Sequence, residues 1–493
     1  MRRAGPRLAR GPWFALPLAL LSTTPARAHT AEQALVRLMP TDLYIGVGTA
    51  LVALTALMLW CVPAHRVRRW FGEPEPVASS PGPTDPAERT ARASLLVTAA
   101  LALLVLLGLF GPHDPLANLL PLSIWTLWWV GIVTGFGLLG PSRLALNPWS
   151  GVLRHGLCQP ADAHGPLPLA PHHGAWPGVL SLLALNGFVL ADPAPDDPSR
   201  LAGLIIVWWA ATLLIMLAVG ERAWLARGEC LSMLVARFAA LSPWQPDAHG
   251  RRRFGMPGRA LWHGARESVG AGRGGALFCL VILGCGSFDG LADTFLWLDA
   301  IGVNPLAFPG RSAVVVSTLL GLLGFNALLV ASYALAVWLG TRLAGTRARD
   351  KAGKAGKPGP DVATAFHALA PSVLPIAFGY HASHHLGSFL VDTQYALVAL
   401  GDPLGRGADP FGLGPWFVST GMFNAPASVA LIWFVQAAAV VIGHILSILL
   451  AHRIALDLHR THRRAFVSQL PLVLFMLGYT LFGLWLLATP RGV

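Results

Sequence analysis

Long apolar runs separated by short polar segments dominate the hydrophobic pattern of this chain. A helix needs about 20 predominantly apolar residues to cross a bilayer. Ten runs approach or exceed this length, near 42–62, 93–111, 120–140, 178–191, 203–220, 275–288, 312–340, 370–400, 425–451 and 468–488. The fourth is short and ends at Asp192-Pro193. The pattern predicts an all-α, polytopic membrane helix bundle with about ten transmembrane helices.

The first 28 residues are typical of a secretory signal peptide. Several arginines precede an apolar run, and Ala26-Arg27-Ala28 matches an A-x-A cleavage site. We therefore predict a signal peptide over 1–28 and a single transmembrane helical domain over 29–493. Cleavage there would make His29 the first residue, and its α-amine and imidazole can together chelate copper. The alternative is that His29 is an accident of the cleavage sequence.

Composition and charge agree with a membrane protein and indicate its orientation. The chain is 54% hydrophobic and only 12% charged, with a mean hydropathy of +0.57. Of its 36 Lys and Arg residues, 26 lie in the segments that follow odd-numbered runs, as the positive-inside rule predicts for cytoplasmic loops. The net charge of +12 is thus explained by contact with anionic lipid rather than with nucleic acid. We predict a bacterial cytoplasmic (inner) membrane protein whose mature N-terminus is periplasmic.

Three histidines interrupt the eighth apolar run, in the sequence Gly379-Tyr380-His381-Ala382-Ser383-His384-His385-Leu386. On a continuous helix one face would carry His381, His385, Ser388 and Asp392, with His384 beside them. Ionisable groups at membrane depth are costly unless they are paired, hydrated or metal-bound. A single helical histidine is usually a satisfied core residue. Three histidines with an aligned carboxylate instead predict a metal site or a proton-handling site, because imidazoles at i and i+4 can reach one ion.

The end of the sixth run supplies two further carboxylates, Asp289 and Asp293, at i and i+4. In the predicted topology they reach the same depth as the outer half of the histidine stripe and can complete a histidine and carboxylate site. The alternative is that they cap the helix end or lie in a hydrated loop. The sequence fits both interpretations.

Other sequence signals are less specific. Tryptophans such as Trp125, Trp128 and Trp129 suit lipid-facing and interfacial packing first, and the lining of a hydrophobic pocket only secondarily. The sequence contains no G-x-S-x-G elbow, no P-loop, and no G-x-G-x-x-G between a strand and a helix. Serine hydrolases, ATPases and dinucleotide-dependent enzymes are thereby disfavoured.

Several short motifs occur in an order and spacing that are moderately specific. They are Trp128-Trp129-Val130-Gly131, Leu146-Asn147-Pro148-Trp149, Glu221 through Trp224, Gly228-Glu229, Leu241-Ser242-Pro243-Trp244, Ser287-Phe288-Asp289-Gly290, Gly379-Tyr380-His381-Ala382-Ser383-His384, Asp402, Phe411 and Ser468-Gln469. Over most of its mature length the chain resembles the bacterial multi-spanning membrane proteins known as fenitrothion hydrolases. Related chains tend to have an aromatic residue at the position of His385, so the resemblance supports His381 and His384 more than His385.

The resemblance implies hydrolysis of an apolar organophosphorus triester such as fenitrothion, with release of a nitrophenol. We expect His381, His384 and His385 to bind a divalent ion, zinc or copper, that lowers the pKa of a bound water and polarises the P=S or P=O group. Asp289, Asp293 and Asp392 are the candidates for a further ligand or a general base.

Two other functions remain open from the sequence. One is metal binding or transport, with copper as a candidate, in which His29 and the histidine stripe form a pathway. The other is a structural membrane subunit of a larger assembly. The oligomeric state is left open.

Overall fold

The computed structural model describes residues 41–72, 86–140, 147–157, 165–167, 169–247, 251–268, 274–304, 307–345, 360–409, 412, 417–459 and 461–489. The predicted signal peptide and His29 lie outside the described residues.

Helices form almost all of the regular structure in the described residues. They are α1 Thr41–Cys61, α2 Ala64–Phe71, α3 Pro86–Phe110, α4 Leu119–Leu139, α5 Trp176–Ala191, α6 Pro198–Val219, α7 Glu221–Arg227, α8 Cys230–Ala239, α9 Arg259–Ser268, α10 Gly275–Ala292, α11 Phe295–Ala300, α12 Arg311–Ala344, α13 Val362–Leu369, α14 Leu374–His384, α15 Leu386–Gly401, α16 Pro426–Leu458 and α17 His462–Ala488. Strands β1 (Trp244–Pro246) and β2 (Arg252–Phe254) form a small antiparallel hairpin, with Trp244 opposite Phe254. The predicted all-α helix bundle is confirmed.

Nine helical segments in the described part of the chain are long and apolar enough to cross a membrane. They are Thr41–Cys61, Ala91–Phe110, Leu119–Leu139, Pro198–Val219, Gly275–Ala292, Arg311–Ala344, Val362–His384, Pro426–Leu458 and His462–Ala488. Each overlaps a run found in the sequence, whereas the fourth run forms α5, which has only 16 residues. Many large apolar side chains face outward, among them Leu96 and Val316. Such a surface suits a lipid bilayer, so the chain has the features of a multi-pass membrane protein.

The eighth apolar run is not one helix. It begins in a 3₁₀ turn over Ala370–Val373, continues as α14, and is interrupted at His385, whose backbone (φ −92°, ψ 0°) separates α14 from α15. Pro375 lies in the first turn of α14, where its missing N–H disturbs no helical hydrogen bond. The expectation of one continuous helix was therefore wrong, because the histidines occupy a helix end and a joint. The predicted polar face is nevertheless kept, since His381, His385, Ser388 and Asp392 all line one cavity.

The enclosed centre of the bundle consists of α10 and the segment Val362–His384, each of which is far more buried than the peripheral spans. Helix α14 packs on α16 through direct backbone contact at two glycines. A Cβ atom at Gly379 would lie 2.4 Å from the carbonyl oxygen of Ala439, and one at Gly443 would lie 2.5 Å from that of Pro375. This close approach fixes the position of the helix that ends in His384.

Candidate metal centre

Asp289, His384 and His385 lie close enough together to hold a metal ion. One potential ligand atom from each side chain lies within 4.8 Å of the other two, and no other group of three or more His, Cys, Asp or Glu within the described ranges does so. Oδ2 of Asp289 is 3.1 Å from Nε2 of His384. Ligand atoms around a tetrahedral zinc ion with bonds of about 2.0–2.2 Å are roughly 3.5 Å apart. Oδ2 of Asp289 and Nε2 of His384 are therefore slightly closer than two ligand atoms of one zinc ion, and a shared ion would move them slightly apart.

The interruption at His385 explains how two adjacent histidines reach one point. In a continuous helix, neighbouring side chains point about 100° apart around the axis. His384 is the last residue of α14 and His385 lies in the joint, so their rings come to 4.7 Å between centroids. The broken helix thus brings together two imidazoles that a regular helix would separate.

Helix α10 supplies the carboxylate of the group. Asp289 lies in its last turns, beside Gly290. A Cβ atom at Gly290 would lie 1.8 Å from the hydroxyl oxygen of Tyr380, so glycine leaves room for the Tyr380 ring in its observed orientation. The Tyr380 ring in turn stacks on the His384 ring, with centroids 5.4 Å apart and planes inclined by 16°. Packing between α10 and α14 therefore orients both Asp289 and His384.

Burial differs among the three residues in a way that suits a site at the edge of a cavity. His384 is buried, whereas Asp289 and His385 are half-buried. The side chain of Asp289 retains 27% of its exposure. The carboxylate and one imidazole can therefore be reached from the cavity.

His381, predicted as a ligand, lies outside this group of three. Its Nε2 atom is 3.0 Å from the carbonyl oxygen of Trp129. Its ring packs edge-on against His385, with centroids 5.0 Å apart, and also contacts Phe238 of α8. The structure thus brings together Asp289, His384 and His385, including the histidine that the resemblance supported least.

The other two predicted carboxylates, Asp293 and Asp392, line the same cavity as the group of three. The cavity has a volume of about 300 Å³ and lies among α4, α5, α10, α12, α14 and α15. Aromatic side chains form much of its wall, namely Trp125, Trp129, Phe238, Trp297 and Phe389. Its polar lining includes Thr126, Asn186, Arg311, Thr318 and Ser388. The carboxylates and histidines converge on one space large enough for a small organic molecule.

Sequence reasoning missed several of these lining residues. For Trp125 and Trp129 the lining of a pocket was only the secondary interpretation, yet both face the cavity. Asn186 and Arg311 were not singled out, although each is a polar residue in or at the start of an apolar run. An isolated amide or guanidinium in that context was the available signal.

Charges at the rim of the cavity are held by local hydrogen bonds. Arg311 donates to the carbonyl oxygens of Val189 and Asp192, at 3.3 and 3.4 Å. Burial acts to raise the pKa of the Asp192 carboxyl, but hydrogen bonds from Arg200 and from the Ala194 N–H, with the charges of Arg200 and Arg311, leave that pKa lowered. These favourable contacts, including the 2.6 Å ion pair between Asp192 and Arg200, outweigh the effect of burial on the carboxylate.

Comparison of the chain with models of protein families, with curated proteins and with solved structures found no match. The geometry of the site and its chemistry must therefore carry the functional argument.

Proposed function

We propose that this chain is a membrane-embedded hydrolase that uses a divalent metal ion to cleave apolar organophosphorus triesters. The observation that carries the proposal is a group of two imidazoles and one carboxylate facing a cavity of about 300 Å³ with largely aromatic and apolar walls. That volume lies at the lower end of the range for small-molecule sites. The class of ester rests on the resemblance to fenitrothion hydrolases. We also propose the cytoplasmic membrane as the location, with the mature N-terminus in the periplasm.

The donor set fits a catalytic ion. Two histidines and a carboxylate are a ligand set used by hydrolytic zinc sites, and imidazole also suits copper. Three protein ligands leave at least one position open, on the side where Asp289 and His385 border the cavity. A divalent ion held there would supply Lewis-acid chemistry to the ester and to water.

The remaining residues of the cavity have roles that follow from their chemistry. Asp293 and Asp392 line the cavity, and one of them would accept the proton of an attacking water. Water would add at phosphorus, the bond from phosphorus to the aryl oxygen would break, and a nitrophenol would leave. Trp125, Trp129 and Trp297 offer flat apolar surfaces against which an aryl group can pack.

The experiment is nitrophenol release from fenitrothion by the purified full-length protein, supplied separately with Zn²⁺ and Cu²⁺. We expect metal-dependent release by the natural protein and background rates for His384→Ala and Asp289→Asn. His113→Ala removes an exposed histidine outside the cavity lining and should leave the rate unchanged. Natural rates in folded His384→Ala protein would refute the proposal.

Metal transport is a second candidate, and the helix interruption at His385 favours it. Transporters often bind their ions where membrane helices are broken and backbone groups are freed. Metal uptake into proteoliposomes, without any nitrophenol release by the same preparation, would select transport over hydrolysis.

A further inference from the structure

We propose that His381 is a positioning residue, held by a π-helical segment of α4, and that it works with Gln436 to fix the end of α14 so that His384 and His385 meet Asp289. The inference rests on the metal site of the proposed function but not on its substrate. It assigns roles to two polar side chains that lie beside the three metal-binding candidates without belonging to them.

His381 contacts a backbone carbonyl group in a segment with an unusual helical conformation. Residues Leu122–Ile132 of α4 form a π-helix, a conformation that is rare and frequently found at functional sites. In an α-helix the carbonyl oxygen of Trp129 would accept the N–H of Val133. Here the Val133 N–H instead bonds to the carbonyl oxygens of Trp128 and Val130. The Trp129 carbonyl oxygen accepts a hydrogen bond from a neighbouring helix, from Nε2 of His381 at 3.0 Å.

This hydrogen bond determines the state of the His381 ring. A carbonyl oxygen only accepts, so Nε2 carries the proton in the neutral ring. Nε2 is therefore engaged by α4 rather than directed to an ion. The ring is confined between the edge of Trp129, at 5.7 Å between centroids, and Phe238, at 6.0 Å. Held in this way, it forms a fixed edge-on surface for the His385 ring.

A second hydrogen bond, from α16, also holds the end of α14. The last carbonyl groups of a helix lack helical N–H donors and need other partners. Nε2 of Gln436, a buried residue of α16, donates to the carbonyl oxygen of Ser383 at 3.0 Å. His384 therefore follows a backbone group held from α16, while His381, one turn earlier, is held from α4. Two hydrogen bonds from neighbouring helices therefore hold the last turn of α14, immediately before His384 and His385.

The main competing explanation is that His381 is itself a ligand, and substitution separates the two. In His381→Gln the side-chain nitrogen lies the same number of bonds from the backbone as Nε2 of histidine. It can still donate to the Trp129 carbonyl, but it has no imidazole to bind an ion. A positioning role is rescued by this substitution, whereas a ligand role is not.

The test measures zinc affinity of the purified full-length protein by competition with a chelator, together with the visible spectrum of the cobalt(II) form. We expect His381→Ala and Gln436→Met to weaken zinc binding by about 10- to 100-fold, the usual effect of removing groups that orient ligands. His381→Gln should retain affinity within about threefold and keep the natural cobalt spectrum. His444→Asn is the control, because His444 is buried in α16 but bonds within its own helix, to the Val440 carbonyl.

The outcomes distinguish this inference from the proposed function. If the natural protein binds zinc and His381→Gln loses it as fully as His381→Ala, then His381 is a ligand and the inference is wrong. If His381→Ala and Gln436→Met both bind zinc as tightly as the unsubstituted protein, the positioning role is also wrong, although the proposed metal site still stands. If the natural protein binds no zinc or cobalt, the proposed function fails first and the inference fails with it.

Discussion

Substituting Gly379 by alanine should damage the metal site from a distance. Gly379 is five residues before His384 in α14, where the backbones of α14 and α16 touch. The added methyl group would lie 2.4 Å from the Ala439 carbonyl oxygen, whereas ordinary van der Waals contact begins at 3.4 Å. The two helices must therefore separate locally by about 1 Å, because both contacting groups are attached to rigid helical backbone.

The magnitude follows from two opposing effects. Overpacking of a tight contact destabilises a protein by about 1–3 kcal/mol. Replacing glycine by alanine within a helix stabilises by up to about 1 kcal/mol. Gly478→Ala in α17 isolates the second effect, since its added Cβ would have no neighbour within 4 Å. The two variants should differ by about 1–3 kcal/mol, with Gly379→Ala the less stable.

The effect on the metal should be larger than the effect on stability. Metal–ligand distances tolerate deviations of only about 0.2 Å, so a shift of α14 near 1 Å moves His384 out of range unless the joint compensates. We expect zinc affinity to fall by about 10- to 100-fold in Gly379→Ala and to be unchanged in Gly478→Ala. Chelator competition and thermal unfolding in detergent measure the two effects. Natural zinc affinity in Gly379→Ala would refute the argument that this contact sets the site.

Three further predictions concern the space for the substrate, the general base and the N-cap of α6. Gly286 lines the cavity, and a Cβ atom there would have no neighbour nearer than 4.0 Å, so the side chain in Gly286→Leu should fill the cavity. This variant should lose ester hydrolysis and bind as much metal as the unsubstituted protein. One of the variants Asp293→Asn and Asp392→Asn should lower kcat by about 10²- to 10⁴-fold while still binding zinc. If both variants hydrolyse the ester as fast as the unsubstituted protein, neither aspartate is the general base. Asp197→Ala removes the N-cap of α6 and should cost about 0.5–2 kcal/mol at neutral pH. The Ser199 hydroxyl and the Arg200 N–H lower the pKa of Asp197 from 3.8, so this stabilisation is complete above that pH and is lost as pH falls through the lowered folded-state pKa. Thermal unfolding of Asp197→Ala and natural protein should therefore differ at neutral pH and converge in acid.

The spans were predictable because they depend on hydropathy and length alone. A membrane offers no water to backbone groups, so each long apolar run must form a helix. The meeting of Asp289 with the histidines was one of two interpretations of the sequence, and it rested on their equal depth in the sixth and eighth runs. These features need only the sequence and the thickness of a bilayer.

The sequence does not predict that His384 and His385, rather than His381, join Asp289 in one group, and the reason can be identified. Neither glycine nor proline marks the interruption at His385, and the flanking Pro375 merely begins a helix. The joint is fixed by tertiary contacts, including the bond from Gln436 to the Ser383 carbonyl. A continuous helix predicts His381 and His385 on one face with His384 beside them. In the structure the His385 ring contacts both other histidines, but only His384 joins it in the group with Asp289.

The contact between His381 and the Trp129 carbonyl illustrates a second limit. A bond from a side chain to a backbone carbonyl leaves no mark on the sequence of the accepting residue. That carbonyl lies in the π-helical segment Leu122–Ile132, and the tryptophan-rich apolar sequence gives no sign of this conformation.

The most direct test of the metal centre is zinc K-edge X-ray absorption on the purified protein loaded with one equivalent of zinc. We expect a first shell at about 2.0–2.1 Å with the scattering pattern of two imidazoles and one carboxylate from the protein. The imidazole scattering should fall in His385→Ala and remain in His381→Gln. A shell of oxygen atoms alone, or a natural protein that retains no zinc, would contradict a site formed by Asp289, His384 and His385.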